Sequence, residues 1–390
     1  MAPDLTRRKF FGQTATGAAT LTVASVAVAE TTSKPKRIKV GVIGCGSVAR
    51  VYFPHLKASP FVELVSACDI IPERVARRAK AFEVPNQYPT IEKMLAGADF
   101  DLFVNLTDMQ EHERLNELAI RAGKHIWSEK PIANSLAAGQ KLLALAKEKA
   151  VRVWGAPAVV SSPQFAFMAK TLADGKLGAV SGAHATYGWT GPNWADFFYA
   201  EGGGSMPDLG VYNLTTLTGL LGPVKSVVAM TSVVVPVRKM SGGKSLKVVA
   251  EDNAMVLMEH ASGGLSHMQC GFNYFSPHEH DDPNQSLLTV SVTGSNGVMS
   301  LAGYDWAPKH VQLATGDSPK PKNFATDAKG FKWEQGASSV AEFLATGKEP
   351  PFTPEHALHV VEIMTAARDS QKHGKRVALT STFHWPVRIS

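Results

Sequence analysis

Residues 37–49 read Arg-Ile-Lys-Val-Gly-Val-Ile-Gly-Cys-Gly-Ser-Val-Ala. The β-branched run predicts a strand, and it passes without a break into Gly44-Cys45-Gly46-Ser47-Val48-Ala49. This matches the G-x-G-x-x-G/A pattern, and the spacing predicts a helix over 49–58. Gly44 permits a tight bend, Gly46 lets the backbone approach a pyrophosphate, and Ala49 keeps the helix close to the strand. The N–H groups of Ser47 and Val48 and the positive helix end then face the anion. A glycine turn by itself is weak evidence, so its surroundings decide the reading. Residues 62–68 predict a second strand that ends at Asp69, 25 residues after Gly44. A carboxylate there accepts the adenosine ribose hydroxyls and repels a 2′-phosphate, which points to NAD over NADP. The plainer role for Asp69 is a turn or cap residue ahead of Pro72.

The alternation continues outward. Helices are predicted over 91–96, 113–122 and 135–149, and strands over 101–106, 124–128 and 151–155. Such units build an α/β fold, a doubly wound parallel sheet covered by helices on both faces, and ligands bind beyond its strand C-terminal ends. Asp69, Asn105, Thr107, Glu129 and Lys130 all fall at that edge. We assign 37–157 to this nucleotide-binding Rossmann domain and 158–390 to a second domain for substrate and oligomerisation. Near the end, helices are predicted over 338–345 and 355–372, with Gly374 as a stop and a strand over 376–379, all packing back near the first domain.

At this point the chain resembles the Gfo/Idh/MocA oxidoreductases. The resemblance is carried by Gly44-Cys45-Gly46, by Asn105-Leu106-Thr107 with His112, and by Ala122-Gly123-Lys124-His125 leading to Glu129-Lys130-Pro131. A second block, Gly202-Gly203-Gly204-Ser205-Met206-Pro207-Asp208-Leu209-Gly210-Val211-Tyr212, and the turn over 294–300 extend it. The resemblance implies a C-terminal α/β domain with a large, mainly antiparallel sheet forming the substrate wall. It implies that Lys130 bonds the substrate hydroxyl, that Glu129 orients ribose and lysine, and that His112 lies near the cofactor. Two positions depart from the pattern. Asp108 stands where a proline often follows the threonine, and Tyr212 stands where many members carry histidine. The tyrosine makes an Asp–His relay doubtful and a tyrosine acid/base more plausible.

Hydride transfer from a secondary alcohol needs a base for the hydroxyl proton and a positive group for the developing alkoxide. Lys130 suits both roles. Asp208 and Tyr212 are four residues apart, so on a helix both project from one face. Alternatively Asp208 is a helix cap and Tyr212 a packing residue. Trp189, Trp194, Phe197, Phe198 and Tyr199 precede the glycines and suit the apolar face of a sugar, or else belong to a core or subunit interface. His278, His280, Asp281 and Asp282 read as a solvated loop, and no metal site is expected.

Residues 1–29 carry Arg7-Arg8-Lys9-Phe10-Phe11, an apolar stretch and a final Ala27-Val28-Ala29, the order of a twin-arginine signal peptide. A linker is expected over 30–36. We therefore expect a periplasmic or extracellular protein, delivered folded by the twin-arginine machinery with its NAD tightly bound. No later apolar run is long enough to span a bilayer, so no stable membrane association is expected. The net charge of +6 is spread along 390 residues, which gives no case for nucleic acid. Cys45, Cys68 and Cys270 are an odd set and read as buried, unpaired thiols. Outside the cytoplasm no soluble NAD pool recycles the cofactor. A sugar or polyol oxidoreductase with a second carbonyl substrate solves this, and so does a redox-neutral glycoside hydrolase that oxidises its sugar transiently. A non-catalytic sugar-binding protein is a third reading. The large open sheet predicts a homodimer or homotetramer.

Overall fold

The computed structural model describes residues 35–275 and 287–389. The expected leader and the 278–282 run lie outside the described residues. The first half alternates β1 (Ile38–Ile43), α1 (Ala49–Ala58), β2 (Val62–Cys68), α2 (Pro72–Phe82), β3 (Asn86–Tyr88), α3 (Ile91–Leu95), β4 (Leu102–Asn105), α4 (His112–Arg121), β5 (His125–Ser128), α5 (Leu136–Glu148) and β6 (Val153–Gly155). The strands form one parallel sheet in the order β3-β2-β1-β4-β5-β6. The chain reverses direction across the sheet between β1 and β4, which opens a groove at their C-terminal ends. Apolar runs such as Val40, Val42, Phe103, Val104, Ile126 and Trp127 are buried, as a sheet covered on both faces requires.

The second half holds α6 (Pro163–Ala173), β7 (Val180–Gly188), α7 (Val211–Leu221), β8 (Val224–Ser232), β9 (Val237–Lys239), β10 (Ser245–Lys247), β11 (Asn253–His260), β12 (Leu265–Gly271), β13 (Leu288–Gly294), β14 (Gly297–Tyr304), β15 (Ala307–Thr315), β16 (Ser318–Phe324), α8 (Gly336–Thr346), α9 (Pro354–His373) and β17 (Val377–Ala378). Nine of these strands make one sheet in the order β16-β15-β14-β13-β7-β12-β11-β8-β17. Its pairs are antiparallel except β7 with β12. The expected fold class is therefore the observed one. Helix α7 is buried on every side, and Thr215 and Thr218 satisfy their hydroxyls on the carbonyls of Val211 and Leu214. After the sheet, α8 returns to α1 and β5 and α9 to α5 and β6, so the C-terminal helices also cover the first sheet. Gly374 ends α9 in the left-handed conformation at φ 61°. Strand β3 and helix α2 are absent from the sequence reading, and β17 is shorter than its prediction. Among the described residues, no helix is long and apolar enough to cross a membrane. The three cysteines are free and buried.

Helix α9 packs two histidines into this core. His359 accepts the Val224 N–H at Nε2 (2.9 Å), so that nitrogen must be unprotonated, and His356 Nε2 meets the Thr218 hydroxyl at 2.7 Å. Burial holds both rings neutral and pushes their pKa down, to about 3 for His356 and about 4 for His359. The unfolded chain binds these protons near pH ~6.5. It therefore holds more protons than the fold below that value, and stability falls as pH drops from about 6.5 toward 4. Each ring adds a slope of up to about 1.4 kcal/mol per pH unit in that window. Urea midpoints should fall steadily over this range, and His356→Gln should flatten the fall. A midpoint constant from pH 6.5 to 4 would contradict the neutral-ring account.

Candidate active site

The glycine turn connects β1 to α1 directly beneath the groove. Gly44 has φ +87°, and a Cβ there would stand 2.5 Å from the Leu106 carbonyl oxygen. Gly46 is open: an added Cβ would meet only the Arg74 guanidinium, at 3.9 Å. No side chain caps α1, so its first N–H groups remain available to an anion. Asp69 is buried at the end of β2, where Oδ2 accepts the Cys45 N–H (2.7 Å) and Oδ1 the Ile71 N–H (2.8 Å). These bonds fix the carboxylate to the turn, and each oxygen keeps a lone pair for a ribose hydroxyl. A bare backbone cradle, an uncapped helix end and an acid at the second strand fit a dinucleotide. NAD would rest on Gly44, Gly46, Ser47 and Val48, with Asp69 at its ribose.

Several of the expected residues spend their side chains on bonds within the protein. Cys45 is fully buried and offers the turn only its backbone; burial pushes its thiol up to about 12. Asn105 is also fully buried, because its amide is used up inside the protein. Its Nδ2 donates to Asn116 (2.9 Å), while its Oδ1 accepts the N–H (3.2 Å) and hydroxyl (2.7 Å) of Thr107. Asn105 therefore shapes the Thr107 lip of the groove. His112 opens α4, buried, with Nδ1 2.8 Å from the Pro131 carbonyl oxygen and Nε2 3.0 Å from that of Thr107. Burial lowers its pKa, and a neutral imidazole has one N–H, which it donates to only one of these two carbonyl oxygens. Asp108 is exposed on the same lip.

The chemical centre lies where β5 ends. Glu129 Oε1 accepts the Tyr52 hydroxyl at 2.6 Å, and Oε2 accepts the Lys130 N–H at 3.1 Å. Lys130 Nζ donates to Asp208 Oδ1 (2.7 Å) and to the Asp208 carbonyl oxygen (2.9 Å), and lies 5.3 Å from the centre of the Tyr212 ring. An ammonium has three donors, so one N–H remains for a ligand. Asp208 sits in a π-helical turn, Met206–Gly210, that runs into α7. The structure thus brings Lys130, Asp208 and Tyr212 together, and Asp208 is an ion-pair partner with no cap bond. The glycines before it make room for Glu251, whose carboxylate fills the space beside Gly204 and accepts the Met206 N–H at 3.1 Å. Arg368 braces the loop through the Gly203 carbonyl (3.0 Å).

Burial, then the charges of Glu129 and Asp208, raise the Tyr212 pKa well above its ordinary value. Tyr212 therefore stays a phenol, with an O–H able to donate. Trp189, Trp194, Phe197 and Phe198 pack on one another and on Phe272. The rings grouped with Tyr212 are instead Tyr187, Tyr304 and Trp306. Sequence reading missed these three, along with Tyr52, because they converge only through strand register and the packing of α1 on β5.

The fold and this site define an oxidoreductase with an NAD-binding Rossmann domain. Residues 38–156 match the family model described as "Oxidoreductase family, NAD-binding Rossmann fold", and residues 165–300 match the GFO/IDH/MocA C-terminal domain. The chain belongs to the Gfo/Idh/MocA family. It is similar to D-apiose dehydrogenase of Paraburkholderia graminis, 26% identical, with 92% of this chain and 94% of that protein aligned. It is also similar to bovine trans-1,2-dihydrobenzene-1,2-diol dehydrogenase, at 23% identity over 81% and 91% of the two chains. The fold is shared with an aldose-aldose oxidoreductase from Caulobacter crescentus complexed with glycerol, at TM-score 0.74 and 20% identity, covering 88% of this chain and 100% of that one.

Proposed function

We propose that the protein oxidises a hydroxyl-bearing carbon of a sugar or polyol, with NAD held tightly in the groove. The observation that carries this is the Lys130–Asp208 pair, partly buried, with one lysine N–H left for a substrate oxygen and aromatic rings beside it. NAD, when bound on Gly44, Gly46, Ser47 and Val48, would supply the hydride acceptor. Lys130 orients the substrate hydroxyl and takes its proton while passing one of its own to Asp208 Oδ1. Tyr212 donates a hydrogen bond to a neighbouring oxygen. Tyr187, Tyr304 and Trp306 offer faces to the C–H side of a sugar. The relatives named above act on a sugar and a vicinal diol, which agrees with this substrate class.

The leader sequence supports export by the twin-arginine route to the periplasm or beyond, with the cofactor loaded before transport. Exposed Val228, Met230, Met255 and Leu257 on the open sheet face support a homodimer or homotetramer. Purification without added cofactor, followed by a panel of monosaccharides and aryl glycosides, tests the reading. A free sugar should raise the reduced-nicotinamide absorbance, a second sugar or lactone should bleach it, and light scattering should show more than a monomer. Cleavage of an aryl glycoside with no net absorbance change would replace oxidation by redox-neutral hydrolysis. Loss of NAD on dialysis would remove tight binding.

A further inference from the structure

The turn between β14 and β15 carries Tyr304, Asp305 and Trp306. The rings of Tyr304 and Trp306 stack at 5.5 Å, and Tyr304 lies 4.6 Å from the Tyr187 ring. The Tyr187 hydroxyl accepts the Trp306 indole N–H at 2.9 Å, and its ring lies 6.2 Å from that of Tyr212. Between the two aromatics Asp305 turns inward, 3% exposed, toward α7. There Asn213 Nδ2 donates to Asp305 Oδ1 at 2.8 Å. The other oxygen of each group, Asp305 Oδ2 and Asn213 Oδ1, is buried without a hydrogen-bond partner. Both are acceptors, so as carboxylate and amide they cannot satisfy each other. Buried acceptors are rarely left bare, and an unpaired buried carboxylate is costly. A single proton resolves both atoms.

We propose that Asp305 is a positioning residue of the substrate wall and works as a neutral acid, its Oδ2–H donating to Asn213 Oδ1 while Asn213 Nδ2 donates to Oδ1. This two-bond acid–amide pair pins Tyr304 and Trp306 to the helix that carries Tyr212. Burial holds the Asp305 pKa up at about 6, against the opposing pull of Thr216 and Asn213. The charge of Asp305 bears on Tyr212 of α7; along the chain Tyr304 adjoins it and Lys309 follows in β15. Above that pH the carboxylate and the Asn213 oxygen oppose each other, and the wall loosens. The inference rests on the reading of the Lys130 cleft as the sugar site.

Asp305→Asn and Asp305→Ala in the full-length chain test it. The asparagine variant keeps both hydrogen bonds and cannot ionise. It should melt like the wild type and hold KM within about threefold, with no rise in KM above pH ~6, whereas the wild-type KM rises there. The alanine variant should raise KM about tenfold with kcat little changed, as expected of a wall residue. Infrared spectra of the wild type at low pH should contain a protonated-carboxyl band that Asp305→Asn lacks. Absence of that band, or an asparagine variant as impaired as alanine, overturns the proposal. If the wild type oxidises no sugar, the proposed function fails, while the infrared and melting data still decide the pair.

Discussion

Replacing Lys130 by methionine should lower kcat by about 10³-fold and leave NAD bound, since a positioned acid–base group contributes roughly 10²–10⁴. Methionine keeps most of the length and packing of the stem while removing the ammonium. Two bonds to Asp208 are lost, and that carboxylate, 14% exposed, is left without its partner. The stability cost is therefore real, and melting must be measured beside kinetics. Asp208→Asn should cost nearly as much, because the amide and the backbone carbonyl still hold the lysine but the amide cannot accept the proton that Lys130 passes on. The double variant Lys130→Met with Asp208→Asn should lose little beyond Lys130→Met alone, because the two residues act as one unit. Cofactor binding, followed by fluorescence titration, should change less than threefold in any of them, about 0.7 kcal/mol. A Lys130→Met variant with full turnover would transfer the acid–base chemistry to another residue, whereas one that turns over nothing yet keeps full biological function would revive the picture of a sugar-binding protein on a dehydrogenase scaffold.

Much of this centre was legible because it is local in sequence. A strand that ends in glycines, a second strand that ends in Asp69 and a third that ends in Glu129-Lys130 must share one edge once the sheet is parallel. The four-residue spacing of Asp208 and Tyr212 also carries geometry by itself. What remained hidden depends on distant packing. Asn86–Tyr88 is too short to show alternation. Nothing in the sequence places Tyr52 behind Glu129, since that bond joins residues 77 apart. The Asp305–Asn213 contact spans 92 residues and exists only because the turn between β14 and β15 reaches α7. The aromatic cluster before the glycines misled for the same reason. Its composition suits a sugar, yet its rings close on Phe272, and the rings near Lys130 arrive from other strands.

Gly44→Val and Gly46→Ala should both weaken NAD, by different physics that two measurements separate. At Gly44 the backbone is left-handed, which costs an L-residue about 1–2 kcal/mol. The new Cβ also meets the Leu106 carbonyl oxygen at 2.5 Å and the Thr107 nitrogen at 2.8 Å, and backbone atoms cannot rotate aside. Overpacking of this kind adds about 1–3 kcal/mol. The turn must shift, and with it the Cys45 N–H leaves Asp69 Oδ2, so the pyrophosphate cradle and the ribose acid are lost together. Gly44→Val should therefore lower the melting temperature of the NAD-free protein and raise the NAD Kd by about 10²-fold or more, where each tenfold is about 1.4 kcal/mol. Gly46 has no such neighbours. Its added methyl points into open space beside Arg74, so the NAD-free protein should melt like the wild type. With NAD placed over this turn as proposed, the same methyl would stand in the path of the pyrophosphate, and affinity should still fall about tenfold or more. If Gly46→Ala binds NAD as the wild type does, the pyrophosphate does not pass over this turn, and the assignment of Ser47, Val48 and the α1 N-terminus to the cofactor falls with it.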